Sequence, residues 1–506
     1  MGKCQLLPVK LYRPVLLLAL LLPLLTGCEL NFLKDDPAPL IVTVPPPTVP
    51  PSGPPTPTLD PLFQPPPPEA TLAPGGGARS LGDPYAPELG NGGYFVQSYN
   101  LRLNLDPQQQ AVSGYTEILA VSNQQGLSQL SLDFAGFDVS SVQVDATPAE
   151  FYRERYKLVV TLPAPLASGT NFRILVTYAG SPLQEPSRYL PIFNHLGLTY
   201  PGTNSIFVFG QPDGARYWFP SNDHPRDKAT FRFEITVPQG LTAVANGVLV
   251  GSQPDTLPDG RSGETFIWSH EYPMAPYLAQ VAVGHYVALD SASPAGIPMR
   301  HYVFPDLVPQ IQALDPVAGD ALDWMAQRFG PYPFERFGVV TADVRRLSLE
   351  TQTMVLLSDQ MLIDRVVVHE ISHMWFGNWV SLDSWADLWR NEGFATYIAA
   401  LYLSGDDPAL LAAELAKIRE DAAKNPSGAP LNQLPPDKLF GTDAYNGGAL
   451  LVHELRLEIG DEAFFNGLRT YFARYGGGTA SHEEFQAVME EAAGRALDGV
   501  FVGWLK

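Results

Sequence analysis

The sequence predicts an α+β multidomain protein, in which an N-terminal all-β domain is followed by a mainly helical domain with a small sheet. Between about Gly93 and Leu289, apolar and polar residues alternate in short runs such as 100–105 and 231–237, bounded by Pro, Gly and Asn. This alternation is typical of strands that bury one face. After Leu289 the apolar residues recur with a helical period. The 506 residues, 45% of them apolar, suffice for two or three cores.

The N-terminal residues predict export. Three basic residues precede a short apolar run at 15–25, which is too short for a comfortable membrane span and suits a signal peptide. The letters LTGC at 25–28 resemble a bacterial lipoprotein processing box. We therefore expect residues 1–27 to be a lipoprotein signal peptide and Cys28 to carry a lipid that anchors an extracytoplasmic protein to a bacterial membrane. An uncleaved anchor with an incidental Cys is the alternative.

The net charge argues against a nucleic-acid-binding protein, and the cysteine content argues against a disulfide-stabilised one. The formal charge is −21, and without the three basic residues before Cys28 it becomes −24, from 29 basic and 53 acidic residues. So acidic a body repels nucleic acid, and no nucleic-acid partner is expected. The only cysteines are Cys4 and Cys28, and Cys4 would leave with the signal peptide. The mature chain would then form no disulfide, so its stability must rest on packing and metal.

Three further segments follow the signal peptide. Residues 28–90 are Pro-rich and poor in apolar clusters, which predicts a disordered tether with polyproline II stretches. Residues 91–290 form the predicted β domain and 291–506 the helical one. Helices are predicted at 316–329, 366–376, 392–403, 449–459, 462–475 and 483–493. We expect Asp315 to cap the first of these, with Pro316 at its first position, and Ser481 with Glu484 to form a capping box on the last.

One stretch of the helical domain carries metal-binding chemistry. His369 and His373 are four residues apart, so on a helix they share a face, and Glu370 lies beside them. Apolar residues on both sides bury this helix, and buried histidines need a partner. Glu392 follows after an eighteen-residue gap on a second predicted helix. Three protein ligands without Cys are typical of a catalytic zinc site, which leaves one position open for water.

The segments HEISHMWFGNWVS and WRNEGFATY resemble the zinc-binding signature of the aminopeptidase N family, which includes the leukotriene hydrolases. The resemblance implies one zinc ion per chain on His369, His373 and Glu392, with Glu370 as the general base. It also implies a thermolysin-like catalytic domain, because that is the family's zinc domain. Residues 101–113 and 217–231 resemble the family's saddle-like N-terminal domain. The family's large C-terminal helical domain is expected to be missing, which would open the site.

Further site residues follow from the same resemblance. Glu350 matches only the Glu of the family's Gly-Ala-Met-Glu-Asn motif, and Gln211, five residues before Arg216, matches a Gln or Glu that shares the substrate's ammonium group. The backbone of Ser348 and Leu349 would pair with the peptide as an extra strand. Tyr445 resembles the tyrosine of the Tyr-x-Lys-Gly-Ala box, although a Gly replaces the Lys. The implied role of Tyr445 is to stabilise the oxyanion.

The expected activity is therefore zinc-dependent removal of the N-terminal residue from peptides with a free N-terminus. Two alternatives remain open at this point. A thermolysin-type endopeptidase would share the zinc ligands but would not need Glu350, and a surface-tethered binding protein could carry a vestigial site. The sequence indicates neither the preferred N-terminal residue nor the oligomeric state.

Overall fold

The computed structural model of the chain describes residues 74–505. Within them the predicted fold class is confirmed, because a strand-rich domain precedes a mainly helical one. The predicted signal peptide, the lipid site at Cys28 and most of the predicted tether lie outside the described residues. No helix within 74–505 is long and apolar enough to cross a membrane.

The first domain is built on an eight-stranded sheet with the order β13-β14-β11-β1-β2-β8-β4-β5, accompanied by a three-stranded sheet, β3-β7-β6. Its strands are β1 Tyr94–Asp106, β2 Ala111–Ser122, β3 Leu127–Asp133, β4 Asp138–Val144, β5 Thr147–Pro148, β6 Phe151–Glu154, β7 Lys157–Leu166, β8 Asn171–Gly180, β9 Gly197–Thr199, β10 Phe207–Phe209, β11 Ala229–Pro238, β12 Thr242–Ala245, β13 Val248–Thr256, β14 Ser262–Met274 and β15 Val281–Gly284. The alternation of apolar and polar residues that predicted these strands corresponds to their buried and exposed faces. In β1, Leu101, Leu103 and Leu105 are buried, while Arg102 is exposed.

The second domain contains a five-stranded sheet with the order β16-β17-β18-β20-β19, covered by helices. Its strands are β16 Val287–Ala292, β17 Pro298–Val303, β18 Val339–Ala342, β19 Ser348–Leu349, β20 Val355–Ser358, β21 Ser381–Leu382 and β22 Thr479–Ala480. Its helices are α1 Val308–Phe329, α2 Asp364–Ser372, α3 Leu388–Leu403, α4 Pro408–Lys424, α5 Gly448–Tyr475, α6 His482–Ala493 and α7 Asp498–Leu505. Strand β16 crosses the boundary predicted at 290, but among the described strands it pairs only with β17 of the second sheet. The sheets therefore divide between Gly284 and Val287.

Helix α1 begins earlier than the sequence predicted. It starts at Val308 and has Pro309 in its first turn, so Pro316 lies inside the helix and Asp315 does not cap it. Asp315 instead accepts a hydrogen bond from Ser291 and pairs with His301 at 2.9 Å. An internal Pro costs roughly 3 kcal/mol, which burial of one continuous apolar stripe of the helix offsets.

The other helices agree more closely with the prediction. The capping box of Ser481 and Glu484 at the start of α6 is confirmed. Gly460, with φ +79°, breaks α5 between the two helices predicted there. Helices α4 and α7 were not predicted, although Asp407 caps α4 and Leu411, Leu415 and Ile418 recur along it with a helical period.

The predicted disordered tether is wrong for residues 74–90, which pack against both domains. Gly76 forms a β-bridge with Gln129, and Ala86 and Leu89 are fully buried in the core of the first domain. Asp83 is also fully buried. Composition could not predict this burial. A Pro- and Gly-rich stretch has few apolar groups, and these become buried only when folded domains surround them.

Burial alone would raise the pKa of Asp83, but hydrogen bonds from His224, Ser384 and the Trp385 amide outweigh it and hold this pKa at about 2. Because the folded pKa lies below the unfolded value, Asp83 stabilises the fold above pH 4, and that stabilisation is lost as the pH falls through 2. We expect wild type to lose about 1 kcal/mol more unfolding free energy than Asp83→Asn between pH 6 and pH 3. Denaturant unfolding at both pH values measures this difference, and equal losses would contradict it.

Candidate metal and substrate-binding site

The metal-binding side chains come from the end of α2 and from α3. His369 and Glu370 lie in the last turn of α2, and His373 follows the helix with right-handed helical dihedrals. Gly377 then turns the chain back with φ +130°, and a Cβ there would lie 3.2 Å from Nδ1 of His373. A side chain at 377 would therefore press on the imidazole, which explains the Gly in this motif.

Glu392 reaches the same point from α3. The residue after it, Gly393, lies against Gly448 at the start of α5, and a Cβ at 393 would be 2.5 Å from the Gly448 carbonyl carbon. This close approach of two backbones brings α3 next to the π-helical turn Asp443–Gly447, which precedes α5 and carries Tyr445. Glycines at 393 and 448 thus allow the segments that carry Glu392 and Tyr445 to lie next to each other.

The structure brings the three predicted ligands together. Nε2 of His369 lies 3.2 Å from Nε2 of His373 and 3.3 Å from Oε2 of Glu392, and Nε2 of His373 lies 3.5 Å from the same oxygen. Ligands about 2.0–2.1 Å from a tetrahedral zinc ion are separated by about 3.3–3.4 Å, so the donor set fits zinc. The other ring nitrogen of His373, Nδ1, lies 3.3 Å from the carbonyl oxygen of Phe376. Such a contact fixes ring orientation in metal sites.

Three buried carboxylates surround these histidines. Donor atoms of Glu350, Glu370 and His373 lie within 4.8 Å of one another. Burial raises the pKa of Glu350 to about 7 and that of Glu370 to about 8. Burial would also raise the pKa of Glu392, but the two imidazoles hold it at about 2. Three carboxyl groups are thus crowded in a buried site, and a divalent cation would favour their charged forms.

Glu350 and Gln211 meet across the domain interface. Nε2 of Gln211 donates to Oε1 of Glu350 at 2.5 Å, and both side chains are buried. The loop of Gln211 is held by Arg216, which forms a buried ion pair with Asp213 and donates through Nε to its carbonyl oxygen at 2.9 Å. Neither domain alone therefore contains the whole site.

Ser348 and Leu349 form β19 at the edge of the second sheet, where β20 is its neighbour among the described strands. Edge strands present unpaired backbone groups that an extended peptide can bind. The side chain of Ser348 also hydrogen-bonds Glu370, which favours the charged form and lowers the pKa of that carboxyl against the larger effect of burial.

The ring of Tyr445 lies parallel to that of His369, with centroids 6.1 Å apart. The phenol ring of Tyr445 therefore lies beside the imidazole of His369. Gly447, which stands where the resembled box has Lys, is the last residue of the π-helical turn that carries Tyr445.

Sequence reasoning missed several residues that hold the site. Nδ2 of Asn378 donates to the backbone oxygen of Glu350 at 2.7 Å. Lys228, which belongs to the first domain, donates to the carbonyl oxygens of Asn378 and Trp379 at 2.8 and 3.1 Å. Burial raises the pKa of Tyr277, and the negative charge of the nearby Glu350 raises it further. Asn378 and Lys228 both belong to segments that resemble the family and could have been flagged, whereas Tyr277 carried no local signal.

Comparison with known proteins agrees with this architecture. Residues 96–278 match the Peptidase M1 N-terminal domain and residues 323–504 the Peptidase family M1 domain. A rice protein, aminopeptidase M1-B, is 27% identical over 441 residues, which are 81% of this chain and 49% of that protein. Puromycin-sensitive aminopeptidase of Caenorhabditis elegans is 28% identical over 57% of this chain and 33% of its own. The chain thus spans about a third to a half of these curated relatives.

Solved structures match over a larger share. The crystal structure of the M1 zinc metallopeptidase from Deinococcus radiodurans is 30% identical, with a TM-score of 0.76, over 84% of this chain and 97% of that one. A mutant of that protein bound to a Tyr-Ser-Ala substrate matches with a TM-score of 0.77 and 30% identity over the same shares. With both domains matched in order and the zinc ligand set assembled, this chain belongs to the M1 family of zinc metallopeptidases.

Proposed function

We propose that the protein is a zinc-dependent aminopeptidase that hydrolyses the N-terminal residue from peptides. The observation that carries the proposal is the buried pair of Glu350 and Gln211 beside the three zinc ligands. A carboxylate and an amide oxygen can together accept hydrogen bonds from a peptide's free ammonium group. A bound N-terminus would then place the first peptide bond at the metal, since the donor atoms of Glu350 lie within 4.8 Å of those of His373.

In this proposal His369, His373 and Glu392 hold one zinc ion. Zinc supplies the Lewis acidity that polarises the scissile carbonyl and acidifies the attacking water. Glu370 takes the proton from that water and later passes it to the leaving amine. The backbone of Ser348 and Leu349 would hold the peptide in an extended form.

Tyr445 is assigned the stabilisation of the tetrahedral oxyanion, because its phenol can donate to charge that develops only in the transition state. We expect Tyr445→Phe to lower kcat by roughly 10²- to 10³-fold with little change in KM. Steady-state kinetics on an aminoacyl fluorogenic substrate measures both constants. A variant with unchanged kcat, or with the loss confined to KM, would remove this role from Tyr445.

The test of the proposed function compares one peptide with its N-acetylated twin. We expect cleavage of the free peptide only, since acetylation removes the charge that Glu350 binds. Equal cleavage of both would identify an endopeptidase of thermolysin type instead.

Glu350→Gln provides the matched variant for that comparison. It keeps the side chain's shape and loses a charge-assisted contact worth about 1.5–3 kcal/mol, which corresponds to roughly 10- to 100-fold in kcat/KM on the free peptide. A loss of the same size on any residual cleavage of the acetylated twin would contradict the assigned role.

We further propose that Cys28 carries a lipid that anchors the protein to an extracytoplasmic face of a bacterial membrane. The basic segment, the short apolar run and the LTGC box of the sequence support this. Labelled fatty acid should enter the wild-type protein in cells and not the Cys28→Ala variant. Equal labelling of the two would refute the anchor.

A further inference from the structure

Residues 74–90, here called the strap, precede the region that matches the M1 N-terminal domain and run along both domains. One side of the strap is fixed to the first domain. Arg79 forms an ion pair with Glu154 at 3.1 Å, and the Gly77 amide donates to the Gln129 carbonyl at 2.8 Å. The other side, centred on Asp83 and Tyr85, contacts the second domain.

Asp83 makes the first of these cross-domain contacts. Its Oδ1 accepts from the Ser384 hydroxyl at 2.7 Å, and its Oδ2 accepts from the Trp385 amide at 3.0 Å. Oδ2 also lies 3.1 Å from Nε2 of His224 in the first domain. The carboxylate is fully buried and has a partner on each oxygen, so it joins the two domains at one point.

The contacts to Ser384 and Trp385 matter because these two residues lie at the start of the element that carries Glu392. The 3₁₀ turn Trp385–Asp387 continues directly into α3, and Glu392 lies about two turns further along. The ring of Trp385 packs edge-on against Tyr277 with centroids 5.1 Å apart, and Tyr277 in turn lies near Glu350 and Glu392. A shift of this turn would therefore reach the third zinc ligand through a rigid helix.

Tyr85 makes the second contact. Its hydroxyl donates to the carbonyl oxygen of Leu434 at 2.9 Å, and its ring stacks on Tyr189 of the first domain with centroids 6.1 Å apart. Leu434 is buried and lies in the loop that leads to the π-helical turn of Tyr445. Two strap residues thus hold the starts of two different segments, one leading to a zinc ligand and the other to the proposed oxyanion donor.

We propose that the strap positions the catalytic centre, with Asp83 setting the orientation of the helix that bears Glu392 and Tyr85 setting the loop that bears Tyr445. The role of Tyr85 rests on the proposed function, whereas that of Asp83 concerns zinc binding alone. Both are positioning residues, since neither touches the metal ligands or the site of the peptide.

The experiment measures zinc affinity by chelator competition and kcat and KM on a free aminoacyl substrate, using the full chain. Asp83→Asn should weaken zinc binding by about 10-fold, because the charge-assisted contacts that hold the start of α3 are weakened. Tyr85→Phe, which deletes one hydroxyl, should keep zinc affinity and lower kcat by about 3- to 10-fold with KM unchanged, because about one neutral hydrogen bond is lost. Arg79→Gln, which loosens only the first-domain side of the strap, is the control and should change neither.

The outcomes separate the proposals. Wild-type zinc affinity in Asp83→Asn, or an equal loss in Arg79→Gln, would overturn the role of Asp83, and circular dichroism of each variant reports whether it is folded. An unfolded Asp83→Asn leaves Tyr85→Phe decisive, and unchanged kcat there would overturn the strap's role. If no variant and no wild-type protein cleaves the substrate, the proposed function has failed, while the zinc affinities still test Asp83.

Discussion

Glu370→Gln is expected to bind zinc as tightly as the wild type and to lose about 10³- to 10⁴-fold in kcat. The amide has nearly the same shape as the carboxylate, but it cannot take a proton from water. Glu370 is not one of the three ligands, whose donor atoms lie 3.2–3.5 Å apart, so their arrangement should persist. Metal analysis of the purified variant and steady-state kinetics together measure the two expectations.

The adjacent carboxylate offers a control for this variant. Glu350→Gln removes a charge from the same buried cluster, so a general electrostatic effect would act in both variants. We expect Glu350→Gln to lose far less kcat on any substrate than Glu370→Gln does. Substantial turnover in Glu370→Gln would show that another group is the base.

His373→Ala is expected to abolish activity by removing the zinc ion. His373 contributes Nε2 to two of the three donor-to-donor contacts, and two remaining ligands bind zinc far more weakly than three. Zinc content should fall from about one ion per chain to a small fraction of that. Inductively coupled plasma analysis after gel filtration measures the content directly.

Thermal unfolding provides an independent readout for the same variant. A metal that binds only the folded state stabilises it, so a chelator should lower the Tm of the wild type. Without His373 the chelator should have almost no effect on Tm. An equal chelator shift in both proteins, or retained stoichiometric zinc in His373→Ala, would place the ion elsewhere.

The parts of the site that could be predicted are those encoded by local spacing. His369 and His373 are one helical turn apart, so any helix there brings them together, and Glu392 came with a second recognisable segment. The alternating runs likewise predicted the strands of the first domain. In each case a few neighbouring residues determine the feature, because the period of the element fixes which side chains share a face.

Long-range contacts could not be predicted in the same way. Asp83 is separated by about three hundred positions from Ser384, and Lys228 by 150 from Asn378. The strap looked like a tether because its composition is that of a disordered segment, and only the surrounding domains bury Ala86 and Leu89. The start of α1 was wrongly predicted at Pro316 for a related reason. Tertiary packing outweighed the local preference of Pro for the first turn of a helix.

The most direct measurement is a zinc titration of the metal-stripped protein, followed by cleavage of an unblocked peptide. We expect activity to rise in proportion to added zinc, to reach its maximum at about one ion per chain and then to stay level. A protein that remains inactive after zinc is restored, or that is active while free of metal, would contradict it.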